Sequence, residues 1–385
     1  MSLTRETFLN PKGEVYLSQS EIRNLTDKHD LEDIIRVLGE IVDEIPFPYS
    51  EYTQREIQDD FNALKNDHLE IIKGEWQSHR IDESILRLYQ NEYIRLPKTK
   101  NTGGKVSNQF TEKYRLSTPH ARYKSHVDLW YAKRKYWLKY FFNPKMHTAY
   151  LSQKNLKQGL TGQYSCSQFK PLIAKSMYDT FGAKKVLDLS MGWGDRLVGF
   201  LASDAESYVG IDPNTKLHDP YQKIIDSVGG DKKVTTICSP AEDLDFSSVN
   251  YDFVFTSPPY FDLERYSDEN TQSWKKYRDF DDWLNNFLLK TLTKCWKNLS
   301  EGGRVVINIS DIYSQGKVKE ICMPMIKHME SLGANYEGVI GYEMSHRTSS
   351  SVGRSVLPFC EPMFVWAKGK NAQEPNWNPN LFFTF

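Results

Sequence analysis

The chain has 385 residues but only five cysteines, with no Cys-x-x-Cys pair and no His/Cys set at zinc spacing. That excludes a disulfide scaffold and gives no reason to expect a metal. No Pro-Cys dipeptide occurs. Its absence disfavours covalent chemistry at carbon five of cytosine, which needs a cysteine nucleophile, and the zinc deaminases, which need Pro-Cys-x-x-Cys. No apolar run is long enough to span a bilayer, and the N-terminus lacks a signal-peptide core. Net charge is nearly absent too: 49 Lys and Arg face 50 Asp and Glu, so total charge gives no argument for a polyanionic partner. Neither an internal repeat nor a low-complexity tract is read. The Gly103-Gly104-Lys105 run is too short for a phosphate loop, and it reads as part of a flexible loop from Lys100.

What is present is aromatic and ordered. Aromatics make up 13% of the chain, which argues for a packed globular protein with room for two domains. Few, scattered cysteines fit a reducing compartment: cytoplasm, nucleoid, nucleus or the cytoplasm of a virus-infected host. Up to about Glu92 acids outnumber bases. Leu31, Ile34, Ile35, Leu38, Ile41 and Val42 fall on one helical face, and Thr53-x-x-Glu56 predicts a capping box for a second helix. From Arg95 to Tyr140 the balance reverses, with Lys133, Arg134 and Lys135 among many bases interleaved with Tyr114, Trp130, Tyr136 and Trp137. Bases with aromatics suit phosphate neutralisation and base stacking, although a helix with a solvated basic face has the same composition. Residues 1–150 therefore read as a mainly helical accessory domain that contacts nucleic acid, and 151–385 as the catalytic domain.

The second part carries motifs. Lys185 to Ser190 is a short apolar run of the kind that forms a buried parallel strand. Met191-Gly192-Trp193-Gly194-Asp195 follows, then Leu197, Val198, Phe200 and Leu201 at helical spacing. Glycines let a backbone turn tightly and approach a ligand closely. The next strand, Tyr208 to Asp212, ends in an acid placed to accept from ribose hydroxyls. A third, Val234 to Cys238, leads to Glu242 and Asp243, which suit an adenine amine or simply a solvated loop.

Tyr251 to Phe255 is another apolar run, and Thr256-Ser257-Pro258-Pro259-Tyr260 follows it directly. A hydroxyl, a rigid carbonyl and an aromatic face at one strand tip suit a planar base whose exocyclic amine is alkylated. Read alone, the same pentapeptide is also an ordinary turn. Arg265, in the polar and aromatic stretch after it, and Arg347 and Arg354, in the acid-free loop Ser345 to Ser355, are candidates for contact with nucleic-acid phosphates.

Taken together, residues from about Gln163 to Lys368 resemble the class I S-adenosylmethionine-dependent methyltransferases, within them the DNA amino-methyltransferases acting at adenine N6 or cytosine N4. The match lies in Asp188-Leu-Ser-Met-Gly-Trp-Gly, in Ser257-Pro-Pro-Tyr260 and, loosely, in Gln168-Phe169-Lys170-Pro171. The resemblance implies an α/β, Rossmann-like, seven-stranded sheet with helices on both faces and a reversed last strand. It implies S-adenosylmethionine held by Phe169, Lys170, Asp188, Ser190, Gly192, Gly194, Asp212, Glu242 and Asp243, and catalysis at Ser257, Pro258, Pro259 and Tyr260. DNA is the implied partner, with RNA or a protein glutamine as alternative substrates and a partner nuclease or second copy in a restriction-modification setting. A catalytically inactive binding subunit is the other class. Asp279 to Leu299 and Val318 to Leu332 are predicted helices, and Val339 to Met344 with Met363 to Ala367 the closing antiparallel pair.

Overall fold

The computed structural model describes residues 3–78, 88–89, 92–119, 124–132, 135–142, 150–161, 166–314, 316–344 and 357–369, with side chains omitted at 135–137. The chain divides into two compact units, Met1–Glu51 with Glu112–Cys166, and Tyr52–Thr111 with Ser167–Phe385.

The second unit is built on one sheet. In chain order its strands are β1 (Ile72–Lys73), β2 (Ile94–Leu96), β3 (Lys185–Asp188), β4 (Ser207–Ile211), β5 (Lys233–Ile237), β6 (Phe253–Thr256), β7 (Arg304–Asn308), β8 (Asn335–Glu343) and β9 (Cys360–Ala367). They lie in the order β1-β2-β8-β9-β7-β6-β3-β4-β5. Strands β5, β4, β3, β6 and β7 are mutually parallel, and β9 runs antiparallel between β7 and β8. Without the β1-β2 edge this is the seven-stranded sheet with a reversed last strand that the resemblance implies.

The central strands are buried on both faces, as parallel strands under two helical layers must be. Side chains alternate across the sheet. Phe253 and Phe255 meet Tyr178, and Phe253 also meets Phe181, just past the helix Pro171–Thr180. Leu187 and Val254 turn to the opposite core, with Trp283, Leu288, Leu292, Cys295 and Ile326. The helix Asp195–Ala202 follows β3, and the helical run from Phe280 to Asn298 follows β6. These connections leave on opposite faces of adjacent strands, so a crevice opens at the carboxyl ends of β3 and β6, where open α/β sheets bind ligands.

Three local expectations change. Residues 52–111 pack with the sheet, although a cut at residue 150 separates them from it. The reason is backbone pairing: β2 hydrogen-bonds β8 in parallel, burying Ile94 and Leu96, and Arg95 pairs with Glu343. The run after β6 is helical as expected, but its centre, Trp283–Leu289, is a π-helix. Val318 belongs to a short hairpin, Ile312–Ser314 with Lys317–Lys319, and the next helix is only Cys322–Ser331. The capping box at Thr53 forms as read, on the helix Gln54–Asn66.

The first unit is helical around Leu25, Ile34, Leu38, Ile41, Trp130, Leu138 and Phe142. Its small sheet pairs two copies of one tetrapeptide. Tyr-Leu-Ser-Gln occurs at 16–19 and again at 150–153. The two copies pair antiparallel, with Leu17 opposite Leu151 and each Tyr opposite the other copy's Ser. Both leucines are buried, and Tyr16 and Tyr150 stack on the outside. Each serine opens a helix: Ser18 accepts from the Glu21 amide and Ser152 from the Asn155 amide. Four residues are too few to register as a repeat until pairing puts them side by side.

Candidate active site

Strand β3 delivers Asp188 to the start of the glycine turn. Gly192 (φ +56°) and Gly194 (φ +83°) hold left-handed conformations, and Gly194 opens the helix Asp195–Ala202. Asp188 is fully buried. It accepts two hydrogen bonds from Arg196, Nε to Oδ2 at 2.9 Å and Nη2 to Oδ1 at 3.1 Å, and a third from the Tyr208 hydroxyl at 2.7 Å. Burial opposes the charge on Arg196, but Asp188 outweighs it and raises the guanidinium's pKa. Arg196 also donates to the Ser190 carbonyl. Asp188 thus grips the turn through Arg196 and faces its own chain.

Strand β4 delivers Asp212. Its carboxylate accepts the Gly192 amide at 2.8 Å and the Asn214 amide at 2.9 Å. Burial pushes its carboxyl up to about 7, against the lowering effect of those two backbone bonds. Beyond β5, Glu242 is buried and accepts from Lys276 Nζ at 2.9 Å and the Tyr277 hydroxyl at 3.1 Å. Lys276 also bridges to Asp243. Neither acid stands as a bare acceptor at the strand tip.

Strand β6 delivers the Ser-Pro-Pro-Tyr tip. Ser190, after β3, and Thr256 and Pro258, at the end of β6, line one small cavity of about 10 Å³, closed by Leu189, Phe287, Leu288, Thr291 and Leu292. The glycine-turn and Ser-Pro-Pro-Tyr motifs therefore meet at one cavity. Thr256 Oγ1 is buried and has no hydrogen-bond partner among the described residues. A Cβ built on Gly192 would come no closer than 3.9 Å to its nearest neighbour, the Ser190 carbonyl. Open space at the turn, an orphaned hydroxyl in the cavity and Asp212 on the next tip lie along one edge of the sheet.

Tyr260 is half-buried. Burial pushes its phenol well above the usual range, and the Glu361 and Glu264 carboxylates add to that. Its amide donates to Glu264 at 3.3 Å, and Glu264 accepts the Ser167 hydroxyl at 2.6 Å. Phe169 packs edge-on against Phe255 of β6 and close to Tyr342, with the Arg196 guanidinium 5.4 Å above its ring. Lys170 donates to the Thr99 carbonyl at 2.6 Å, and burial lowers its pKa, helped by Lys98. Its ammonium is thus spent on the chain's own backbone.

Sequence reading missed the residues that clasp the turn from outside the motifs. Ser107 Oγ donates to Asp195 at 2.6 Å, Thr111 Oγ1 to the Trp193 carbonyl at 3.1 Å, and Gln168 Nε2 to Asp195 at 3.0 Å. Trp193 Nε1 reaches the Ser167 carbonyl at 3.0 Å. No local signal marks these residues, because the contacts join distant segments. The stretch after the Ser-Pro-Pro-Tyr tip also lies against the strand tips. Tyr266 meets Trp193 edge-on, Glu269 accepts from Thr215, and Lys276 holds Glu242. Arg265 stacks on Trp274, with guanidinium carbon to ring centre at 4.8 Å. Lys133, Arg134, Arg347 and Arg354 lie outside the described residues, as does the side chain of Lys135. Among the described residues no His, Cys, Asp and Glu cluster of metal-binding size is found, and no helix is long and apolar enough to cross a membrane.

Among solved structures the protein is similar to TrmN from Thermus thermophilus, at 13% identity over 52% of this chain and 49% of that one, with a TM-score of 0.35. It is also similar to TehB from Haemophilus influenzae, at 11% identity over 57% and 68% of the two chains, TM-score 0.33. A third is the methyltransferase domain of bacterial CtHen1-CN, at 16% identity over 51% and 96%, TM-score 0.36. The match takes in about half the length of the Thermus protein. No curated protein matches the chain. The fold rests on the strand order itself, with five parallel strands, the reversed β9 and β8 outside it. Residues 251–382, from just before β6 to beyond β9, match the model of the N6/N4 DNA methylase family, whose cofactor is S-adenosylmethionine.

Proposed function

We propose that this methyltransferase acts on an exocyclic amine of a DNA base, cytosine N4 or adenine N6, taken out of its helix. The observation that carries the reading is the shared cavity: Ser190 from one motif, and Thr256 and Pro258 on either side of Ser257 in the other, line the same space. S-adenosylmethionine supplies an electrophilic methyl group bonded to a sulfonium. Gly192, Gly194 and Ser190 would hold it from the turn, and Asp212 would accept from its ribose hydroxyls. Asp188 acts one step back, by fixing Arg196 and the turn.

An aromatic amine is a poor nucleophile because its lone pair is delocalised into the ring. The Ser257 hydroxyl and the Pro258 carbonyl accept its two N–H bonds and draw the lone pair out of conjugation. Among the described residues neither acceptor has a hydrogen-bond partner. Pro258 and Pro259 hold that carbonyl rigidly. Tyr260 offers a face for the base to stack on. The nitrogen would form the new N–C bond as the sulfonium's S–CH3 bond breaks and its electron pair stays on sulfur, leaving a neutral thioether, and would release one proton to water, so Ser257 need not ionise. Much of the rate then comes from placement.

In this reading the first unit, with the basic segment through Lys133, Arg134 and Lys135, helps select the target. Arg347 and Arg354 approach the DNA backbone, and the protein works where DNA is, in the cytoplasm, nucleoid or nucleus. A restriction-modification role brings a partner nuclease or a second copy. The decisive experiment incubates the protein with labelled cofactor and unmodified DNA or RNA in parallel, then digests to nucleosides. Labelled N4-methylcytidine or N6-methyladenine deoxynucleosides are expected from the DNA arm. Label confined to RNA or to protein, or no transfer, overturns the DNA reading.

A further inference from the structure

The residue after the catalytic tip is the only non-glycine with positive φ among the described residues: Phe261, at +46°. A bulky side chain is rarely found in this region, where glycine sits freely, and such outliers gather at functional sites. Its amide closes a tight turn onto the Pro259 carbonyl at 3.0 Å, and the Leu263 amide reaches the Tyr260 carbonyl at 3.0 Å. The ring is buried. It meets Phe280 edge-on at 5.5 Å and Trp283 at 5.8 Å, and Phe280 and Trp283 stack on each other at 6.0 Å. Trp283 also touches Phe287, which lines the cavity beside Thr256 and Pro258. Trp283 and Phe287 both belong to the π-helix Trp283–Leu289, and π-turns recur at functional sites.

One aromatic chain thus links the left-handed residue to the wall of the catalytic cavity. We propose that Phe261 is a positioning residue: its ring, clasped by Phe280 and Trp283, holds the turn that leaves the Ser257 hydroxyl and the Pro258 carbonyl turned to the substrate. The penalty of the left-handed conformation is retained because a glycine in its place has no ring to be held by. This inference rests on the methyl-transfer reading of the same cavity.

The test is F261G, which suits the backbone angle but lacks the ring. Amide hydrogen exchange over residues 257–264, measured without cofactor, is expected to quicken at least tenfold, roughly the loss of one local clasp. Cofactor affinity by calorimetry stays within about twofold, and KM for DNA changes little, because neither depends on the turn. The kcat falls by roughly 10- to 100-fold, the scale of a small misplacement of reacting groups. A purely structural Phe261 would lower thermal stability and leave kcat of the folded fraction intact. If F261G fails to fold, F261L keeps buried bulk without the edge-on contacts and carries the same expectation at about three- to tenfold. Unchanged exchange, or unchanged kcat in an active enzyme, overturns the proposal. If the wild-type protein methylates no nucleic acid, the methyl-transfer reading fails, and the exchange measurement alone decides whether Phe261 holds the turn.

Discussion

Asp188 and Asp212 end adjacent strands of one sheet, both buried, and their surroundings part them. Asp188 meets a guanidinium and a phenol, so its charge is neutralised inside the protein. Asp212 is bonded through its carboxylate to two backbone amides, and burial lifts its pKa to about 7. One acid has spent its acceptor capacity on its own chain. The other gains from any ligand that brings further donors. A carboxylate at a strand tip is thus defined by what faces it: a buried counter-charge makes it structural, and bare amides leave it ready for a ligand.

The largest effect is expected from breaking the structural acid. Asp188→Ala strands Arg196 in the core and should cost about 3–5 kcal/mol of unfolding free energy in urea titration. A loss under about 1 kcal/mol would erase the contrast with Asp212. The third strand tip extends the comparison to catalysis. Ser257→Ala should lower kcat by roughly 10²-fold, the scale for one positioned polar group, with cofactor affinity unchanged in calorimetry. Weakened cofactor binding in that variant would move Ser257 to the cofactor side. Asp212→Asn should do the reverse, leaving unfolding at pH 5 nearly unchanged, where Asp212 is itself protonated, and weakening cofactor binding above pH 7 by roughly tenfold, as for a lost hydrogen bond to a charged group.

The smallest effect is a pH dependence, and its sign separates the two acids. An ordinary aspartate titrates near 3.9 in the unfolded chain, whereas Asp212 holds its proton up to about 7 when folded. Between those values the folded state binds more protons than the unfolded one. Stability from this group is therefore fully present below about pH 4 and is lost as pH rises through about 7. Without cofactor, wild-type stability should fall from pH 5 to 7.5 more steeply than that of Asp212→Asn. Cofactor affinity should rise over the same range in the wild type only. Parallel profiles for the two proteins would show that Asp212 does not titrate there.

Much of the site is legible in short contiguous stretches. Asp188 to Gly194 and Ser257 to Tyr260 each follow an apolar strand, so the local pattern places them at strand ends without any knowledge of the fold. The roles of individual residues are less legible. Lys170 reads as a cofactor contact and is held by the Thr99 carbonyl, while Glu242 reads as an adenine acceptor and is held by Lys276. Ser107 and Thr111 carry no signal, and they brace the glycine turn from a segment some eighty residues upstream. The three-residue β2 is too short for any period to show, so its place beside β8 emerges only from backbone pairing.

The order of apolar runs, glycines and acids along the chain determined by itself that a parallel sheet would present a turn and a Ser-Pro-Pro-Tyr tip at its carboxyl edge. Those features depend on side-chain period and backbone freedom, which neighbours in sequence control. Only the tertiary structure decided which acid is neutralised, which is left near pH 7, and that Phe261 is held left-handed by Phe280 and Trp283. Burial, counter-charge and ring contact are properties of groups brought together from distant segments, and no local pattern encodes them.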